Sequence, residues 1–282
     1  MLLDILTDAL IDTIKLIPFL FITYLIMEYL EHKTANKTQE HIKKSGKLGP
    51  IIGGLLGAVP QCGFSVSATN LYVGRVISLG TLMAVYLSTS DEMIPVFLSE
   101  SVSAYVILKV LGIKVLVGII AGIIIDFIFR KTENVANDIS HMCEHDHCNC
   151  ENGVFKSSLK HTMNITIFIF VINIVFGTII SIVGEDTISS LVLNRPVLGP
   201  VIAGIVGLIP NCAASVIIAE LYVDHLISAG AMISGLLVGA GVGLLVLFKE
   251  NDNIKENLKI VSILYFVGVI FGILFETFGL VL

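Results

Sequence analysis

Hydrophobic residues in this chain come in long blocks, and the series of blocks occurs twice. Apolar runs cover about residues 9–30, 48–59, 63–74, 76–98 and 104–130, then about 161–183, 197–209, 212–223, 226–248 and 260–282. A helix needs roughly 20 residues to cross the hydrocarbon core of a bilayer, so the longer runs predict membrane-crossing helices. The runs on either side of Pro60 and Pro210 have only about 12 residues each and predict half-helices.

The two series are related residue by residue. Leu48 to Met83 returns without a gap 150 positions later as Leu198 to Ile233. Leu48-Gly49-Pro50 matches Leu198-Gly199-Pro200, Pro60-Gln61-Cys62 matches Pro210-Asn211-Cys212, and Leu71-Tyr72-Val73 matches Leu221-Tyr222-Val223. Ser65 pairs with Ser215, and the glycines at 54, 57 and 80 pair with those at 204, 207 and 230. Duplicated apolar sequence interrupted by Gly and Pro is the pattern of secondary transporters, whose sites form where discontinuous helices of two repeats meet. Proline removes a backbone donor and clashes with the preceding turn, so a break is expected at each Pro-(Gln/Asn)-Cys. These elements are read as re-entrant hairpins or as kinked crossings; the residues leave both open.

Charge orients the repeats. The loop after the first run carries Lys33, Lys37, Lys43, Lys44 and Lys47, whereas its counterpart carries Glu185, Asp186 and only Arg195. The positive-inside rule then places these equivalent loops on opposite faces, which predicts inverted topology. Arg75 in one copy against Asp224 and His225 in the other agrees. The expected organisation is a first membrane repeat over 1–130, a cytoplasmic His/Cys-rich linker over 131–160, and a second membrane repeat over 161–282. With hairpins at the proline tips, each repeat makes three full crossings and both termini lie outside.

Composition narrows the class. Hydrophobic residues make up 55% and charged residues 14% of 282 positions, which leaves too little polar surface to coat a water-soluble body of that size. The fold class expected is therefore an all-α polytopic membrane protein. The net charge of −6 is spread over loops with no basic patch, so no nucleic-acid partner is expected. Asp4, Asp8 and Asp12 precede an apolar run without a small-residue cleavage site, which reads as a retained first span. Five cysteines, three at 143, 148 and 150 and two at the tips, do not form a disulfide framework and are read as free thiols.

Four groups of residues carry candidate chemistry. Gln61, Cys62, Asn211 and Cys212 bring two thiols, two amides and freed backbone groups to the proline tips; thiolates suit soft ions and amide oxygens suit harder ones. The plainer alternative is a packing kink with each Cys a small buried hydrophobe. Asp91 and Glu92 follow Ser88-Thr89-Ser90 within an apolar run, where a carboxylate costs on the order of 2.5–3.5 kcal/mol and marks a site, unless the segment is a surface loop. They are candidates for a hard cation or for a coupling proton. Asn70 with Glu220, and Ser65 with Ser215, occupy equivalent positions beyond the tips and extend the candidate binding set. His141, Cys143, His145, His147, Cys148 and Cys150 crowd six soft ligands into ten residues of the linker, a composition that favours metal capture but has no zinc-finger spacing.

The phrases Val59-Pro-Gln-Cys-Gly-Phe-Ser-Val-Ser67, Leu71-Tyr-Val-Gly-Arg-Val-Ile-Ser78, Ser88-Thr-Ser-Asp-Glu-Met-Ile-Pro95, Gly207-Leu-Ile-Pro-Asn-Cys-Ala-Ala-Ser215 and Gly235-Leu-Leu-Val-Gly-Ala-Gly-Val-Gly243 resemble a prokaryotic family of ten-transmembrane heavy-metal exporters. Its members are labelled arsenic efflux proteins or manganese transporters. The resemblance implies a multi-pass protein of a prokaryotic cytoplasmic membrane that exports a heavy metal or metalloid. The residues themselves point to alternating access between two repeats, with Mn²⁺ favouring the acids and amides and a trivalent arsenical favouring the thiols. No GxxxxGK[ST] motif is present, so an ion gradient or the substrate's own gradient is the expected energy source. The transported ion is substrate, and no cofactor is expected. Two other classes are weaker: a metal-responsive membrane receptor, and an intramembrane enzyme built on Asp126 with Glu276 or on the cysteines. The chain has neither HExxH nor a GxGD motif, so it is not read as an enzyme.

Overall fold

The computed structural model describes residues 6, 7, 9–11, 13, 14, 17, 18, 20–22, 24, 25, 48–59, 63–90, 93–129, 154–183 and 197–278. All regular structure among them is helical. After helical residues within 6–25, the first copy contains α1 (Gly49–Gly57), α2 (Gly63–Val73), α3 (Leu79–Ser88), α4 (Met93–Ser99) and α5 (Ala104–Phe129). The second contains α6 (Val154–Val183), α7 (Leu198–Gly207), α8 (Cys212–Val223), α9 (Ala229–Val238), α10 (Gly243–Glu250) and α11 (Ile254–Thr277). Among the described residues, the stretches Ala104–Phe129, Ser158–Val175 and Ile254–Thr277, and Ala229–Glu250 with its interruption at 239–242, are long and apolar enough to cross a membrane. Tyr105, Leu108, Leu116, Ile123 and Phe127 on α5 and Leu258, Phe266 and Ile270 on α11 are exposed, as side chains facing lipid are. The chain is a multi-pass membrane protein.

The duplication in sequence is a duplication in local structure. Ser78 caps α3 by accepting a hydrogen bond from Thr81 N at 3.2 Å, and Ser228 caps α9 by accepting from Ala231 N at the same distance. The preceding turns close alike, Val76 N donating to Leu71 O at 2.8 Å and Leu226 N to Leu221 O at 2.9 Å. In both turns a non-glycine residue takes the left-handed conformation, Arg75 at φ 57° and His225 at φ 58°. That conformation is rare for side chains of this size, and it reverses the chain tightly enough for α2 to lead into α3 and α8 into α9.

Glycine sets how closely the long helices approach. A Cβ at Gly80 would overlap the carbonyl of Gly122, and a Cβ at Gly122 would meet Gly80 O at 2.5 Å. Gly230 and Gly272 repeat the arrangement: a Cβ on either would lie 2.6 Å or 2.7 Å from the other's carbonyl oxygen. Backbones in direct contact are how helices associate where lipid offers no hydrophobic drive. Thus α3 lies along α5, and α9 along α11. Short α1 lies along α3 in the same direction: a Cβ at Gly53 would sit 2.9 Å from Thr81 O, and one at Gly57 2.6 Å from Val85 O.

The copies then exchange partners. α2 of the first packs on α10 of the second, α8 of the second packs on α4 of the first, and α3 meets α9 between them. The helical residues of 6–25 join α6 in a separate cluster, where Leu20 and Tyr24 meet Ile165, Ile169, Val242 and Val246.

The apolar runs at 76–98 and 226–248 are not continuous helices. Each is broken: α3 ends at Ser88 and α4 begins at Met93, while α9 ends at Val238 and α10 begins at Gly243. In the first copy the hydroxyls of Ser88, Thr89 and Ser90 bond to Ala84 O, Val85 O and Ser88 O at 2.7, 2.8 and 2.9 Å, competing with the helix for its own carbonyls. In the second copy Gly239 and Gly241, the latter at φ 56°, do the same work without side chains. Hydropathy registers apolar composition and not backbone continuity, so neither break is visible in it.

Candidate functional site

Both breaks are inside the protein. Ser88, Thr89 and Ser90 are at most 5% exposed, and positions 238–242 are buried throughout. The hydroxyl run is therefore not a surface loop. A broken helix frees carbonyls that must find donors away from water, since each one left unpaired costs about 1–3 kcal/mol. One side chain of the first copy, Lys114, supplies such a donor, and two more, Tyr86 and Thr69, bond to the carbonyl of the first residue of α10.

Lys114, on α5, is 1% exposed. Its Nζ donates to Leu236 O on α9 at 2.8 Å and to Thr89 O at the end of α3. The residue that would take Leu236 O in a continuous helix is Ala240, but Ala240 N bonds to Val238 O instead. One ammonium thus bridges the C-terminal ends of two half-helices from different copies, where the helix dipoles are negative. Tyr86, wholly buried on α3, donates to Gly243 O at 3.2 Å at the start of α10. Thr69 on α2 places its hydroxyl 2.6 Å from Tyr86 Oη, 2.8 Å from Ser65 O and 3.1 Å from Gly243 O, so two hydroxyl protons are shared among these acceptors.

The candidate residues from the sequence fall in three groups. Ser65 and Ser215 come to the two ends of one break: a Cβ on Gly243 would lie 3.1 Å from Ser65 Cβ, and one on Gly239 3.0 Å from Ser215 Oγ. Asn70 is fully buried, and neither its amide oxygen nor its nitrogen has a hydrogen-bond partner among the described residues. Its counterpart Glu220 is half-buried on α8. Asn211 uses its side-chain oxygen to cap α8, accepting from Ala213 N at 2.9 Å, which leaves the amide nitrogen for other contacts. Gln61, Cys62, Asp91, Glu92, His141, Cys143, His145, His147, Cys148 and Cys150 lie outside the described residues, as does the side chain of Cys212. Among the described residues no three His, Cys, Asp or Glu side chains converge, so a multidentate site built from such ligands needs members of the undescribed set.

Asp126 and Glu276 do not form an acid pair. Asp126 accepts from Gly80 N at 2.8 Å and Ser78 Oγ at 2.7 Å, while Glu276 accepts from Gly230 N at 3.1 Å. Each carboxylate holds a helix N-terminus of its own copy, which is where a negative charge is stabilised. That removes the acid-pair form of the enzyme alternative, while its cysteine form lies outside the described residues.

Away from the breaks, Arg75 makes a two-pronged ion pair with Glu256, at 2.8 and 3.0 Å, and Tyr72 Oη donates to the same carboxylate at 2.5 Å. The Glu256 hydrogen bond raises Arg75 above its already basic range, against the lowering effect of partial burial, so the guanidinium stays charged. This joins the turn after α2 to the first turn of α11. At the symmetry-related place, Tyr222 meets Phe97 by ring contact at 6.2 Å between centroids.

Sequence reasoning passed over Lys114, Tyr86 and Thr69. The signal for Lys114 was present: a lone cation in the middle of a 26-residue apolar helix marks a functional position by the same rule that singled out Asp91.

A model of the family described as "Putative, 10TM heavy-metal exporter" matches residues 1–185. No curated protein and no solved structure matches the chain.

Proposed function

The chain belongs to that ten-transmembrane heavy-metal exporter family, and from this premise we propose a secondary transporter that exports Mn²⁺ or a trivalent arsenical by alternating access between two inverted copies. The observation that carries the reading is the meeting of two buried helix breaks at the interface of the copies, bridged by Lys114. Discontinuous helices facing each other across a repeat interface are how such proteins expose backbone carbonyls to an ion within the membrane.

Inversion has support in the Arg75–Glu256 pair. The stretch Ala229–Glu250 is long enough to cross, so the turn before it and the loop after it lie on opposite faces. Arg75 occupies the first copy's version of that turn, yet it bonds to Glu256, just after that loop. Equivalent turns then belong on opposite faces, as the lysine-rich and acidic loops suggest. Re-entrance has support in α1 running alongside α3 in the same direction: both start from one face, and α2 returns the chain to it. In this reading Arg75–Glu256 latches one face, and the Phe97–Tyr222 contact closes the other.

Substrate contacts fall to Gln61 and Cys62 with Asn211 and Cys212 at the tips, to Asp91 and Glu92 at the first break, and to Ser65, Ser215, Asn70 and Glu220 around them. Asn70 is the best supported of these, because an orphaned buried amide is costly unless a ligand or water engages it. The linker cluster from His141 to Cys150 captures cytosolic metal on the way to the membrane, and a proton is the coupling ion. The test is metal accumulation in cells expressing the chain, exposed separately to Mn²⁺, arsenite and a methylated trivalent arsenical. Lowered manganese that Asp91→Asn restores assigns the acids. Lowered arsenical that Cys62→Ser with Cys212→Ser restores assigns the tips. Unchanged accumulation of all three overturns the exporter reading.

A further inference from the structure

The inward face of α6 is more polar than its outward face. Met163, Ile167, Val171 and Val175 are exposed at steps of four residues, while Ser158, Thr162, Thr166 and Asn173 are at most 9% exposed. Polar side chains that a membrane helix turns away from lipid face the protein interior or a water-filled cavity. The first and last of these four are 15 positions apart, which is about 22 Å along the helix, against a hydrocarbon core roughly 30 Å thick. On the same face, Ile165 and Ile169 belong to one packed cluster with Leu20, Tyr24, Val66, Val242 and Val246. A buried threonine in a helix commonly turns its hydroxyl back to the carbonyl four residues earlier, as Thr13, Thr162 and Thr178 do at 2.6, 2.7 and 2.7 Å. Thr166 does not: its Oγ1 has no hydrogen-bond partner among the described residues, and neither has Oδ1 of Asn173, one turn beyond Ile169. Asn70 on α2 stands one turn beyond Val66, with both amide atoms in the same condition. Each of the three is within one helical turn of a member of the same cluster, and a buried polar group that lacks a protein partner is ordinarily met by ordered water.

We propose that α6, the helical residues of 6–25, α2 and α10 enclose a file of bound water, held by Thr166 and Asn173 on one side and by Asn70 on the other. The described residues of the inward face of α6 include no acid, thiol or imidazole, so nothing there offsets the charge of a metal ion. Hydroxyl and amide groups both donate and accept, and water matches them in both roles. Val242, the last residue of the second break, belongs to the cluster, so the file reaches the place where the two copies meet. Water there provides partners for backbone groups of the break wherever relative motion of the copies parts them from protein donors. The file does not depend on the exporter reading.

The experiment is X-ray radiolytic footprinting of the purified, full-length chain in lipid nanodiscs, in water enriched in the heavy oxygen isotope, with oxidised side chains read by mass spectrometry. Radicals formed in bound water oxidise the buried side chains beside it. After correction for intrinsic reactivity, Tyr24 and Ile169 are expected to be labelled severalfold faster than Phe97 and Leu82, which are comparably buried in the other core. Thr166→Val with Asn173→Leu keeps the bulk of both side chains and removes their polar atoms, and labelling of Tyr24 and Ile169 should then fall to the level of Phe97 and Leu82. Equal labelling of the two cores in wild type overturns the proposal, and so does labelling that the double variant leaves unchanged. Where the double variant does not fold, Thr166→Val alone is followed by thermal unfolding. Loss of a water-bonded hydroxyl lowers the midpoint and supports the proposal, whereas removal of a dry, unpaired hydroxyl leaves the midpoint equal or raised and overturns it. No transported metal enters either readout, so failure of the exporter reading leaves the proposal intact.

Discussion

The two copies share their turns, caps and glycine contacts, yet they differ where they meet. The first copy contributes side chains and the second contributes bare backbone. Lys114, Tyr86 and Thr69 of the first copy reach Leu236 O and Gly243 O at the break of the second. Their positional equivalents are Leu264, Leu236 and Ala219, which have no polar group to offer in return. The first break is lined by Ser88, Thr89 and Ser90, and the second by Val238, Gly239 and Ala240. Duplication therefore supplied the scaffold and divergence supplied the chemistry: what stayed alike holds helices together, and what changed faces the interface. Such an interface presents one polar wall and one wall of backbone carbonyls.

The shared part of the comparison has the largest expected effect when broken. Gly80→Val and Gly230→Val each drive a branched side chain into the carbonyl of a facing glycine. Each is expected to cost about 3 kcal/mol or more, read as loss of monodisperse protein on extraction. Gly112→Ala, where a Cβ meets nothing within 4 Å, should unfold like wild type and serves as the control.

Exchanging residues between copies sharpens the divergent part. Leu264→Lys places a buried cation where the second copy provides no designed partner, and is expected to cost about 3 kcal/mol by membrane-insertion scales. Lys114→Leu makes the first copy resemble the second and orphans Thr89 O and Leu236 O, an expected loss of about 2 kcal/mol. Equal costs for the two swaps, measured as unfolding midpoints in one detergent, would contradict the asymmetry.

Smaller still is Tyr86→Phe, which removes one hydrogen bond to Gly243 O and leaves the ring in place. A loss of about 1 kcal/mol is expected, read as a lowered unfolding midpoint in detergent.

Much of the architecture was legible in the chain because it rests on apolar run length, proline and glycine. The membrane class, the duplication and the half-helices at Pro60 and Pro210 follow from these. The interior breaks that begin after Ser88 and after Val238 were not legible, because one is made by hydroxyls bonding to local carbonyls and the other by glycines, neither of which interrupts an apolar run. Ser88-Thr89-Ser90 did stand out as candidate chemistry, and its burial bears out an interior position for those three residues. Asn70 was legible as a polar residue matched to Glu220, but its isolation from every described partner required the packing of α2 against α10. Lys114 has leucine, Leu264, as its counterpart, so the match between the two copies does not mark it.

Export by relative motion of the two copies requires Arg75 and Glu256 to part during each cycle. The most direct measurement is metal flux in proteoliposomes bearing Arg75→Cys with Glu256→Cys, before oxidation, after oxidation and after reduction, with each single variant as control. The account predicts flux that stops when the disulfide ties the turn after α2 to α11 and returns on reduction. Unchanged flux through the fully cross-linked protein would contradict it.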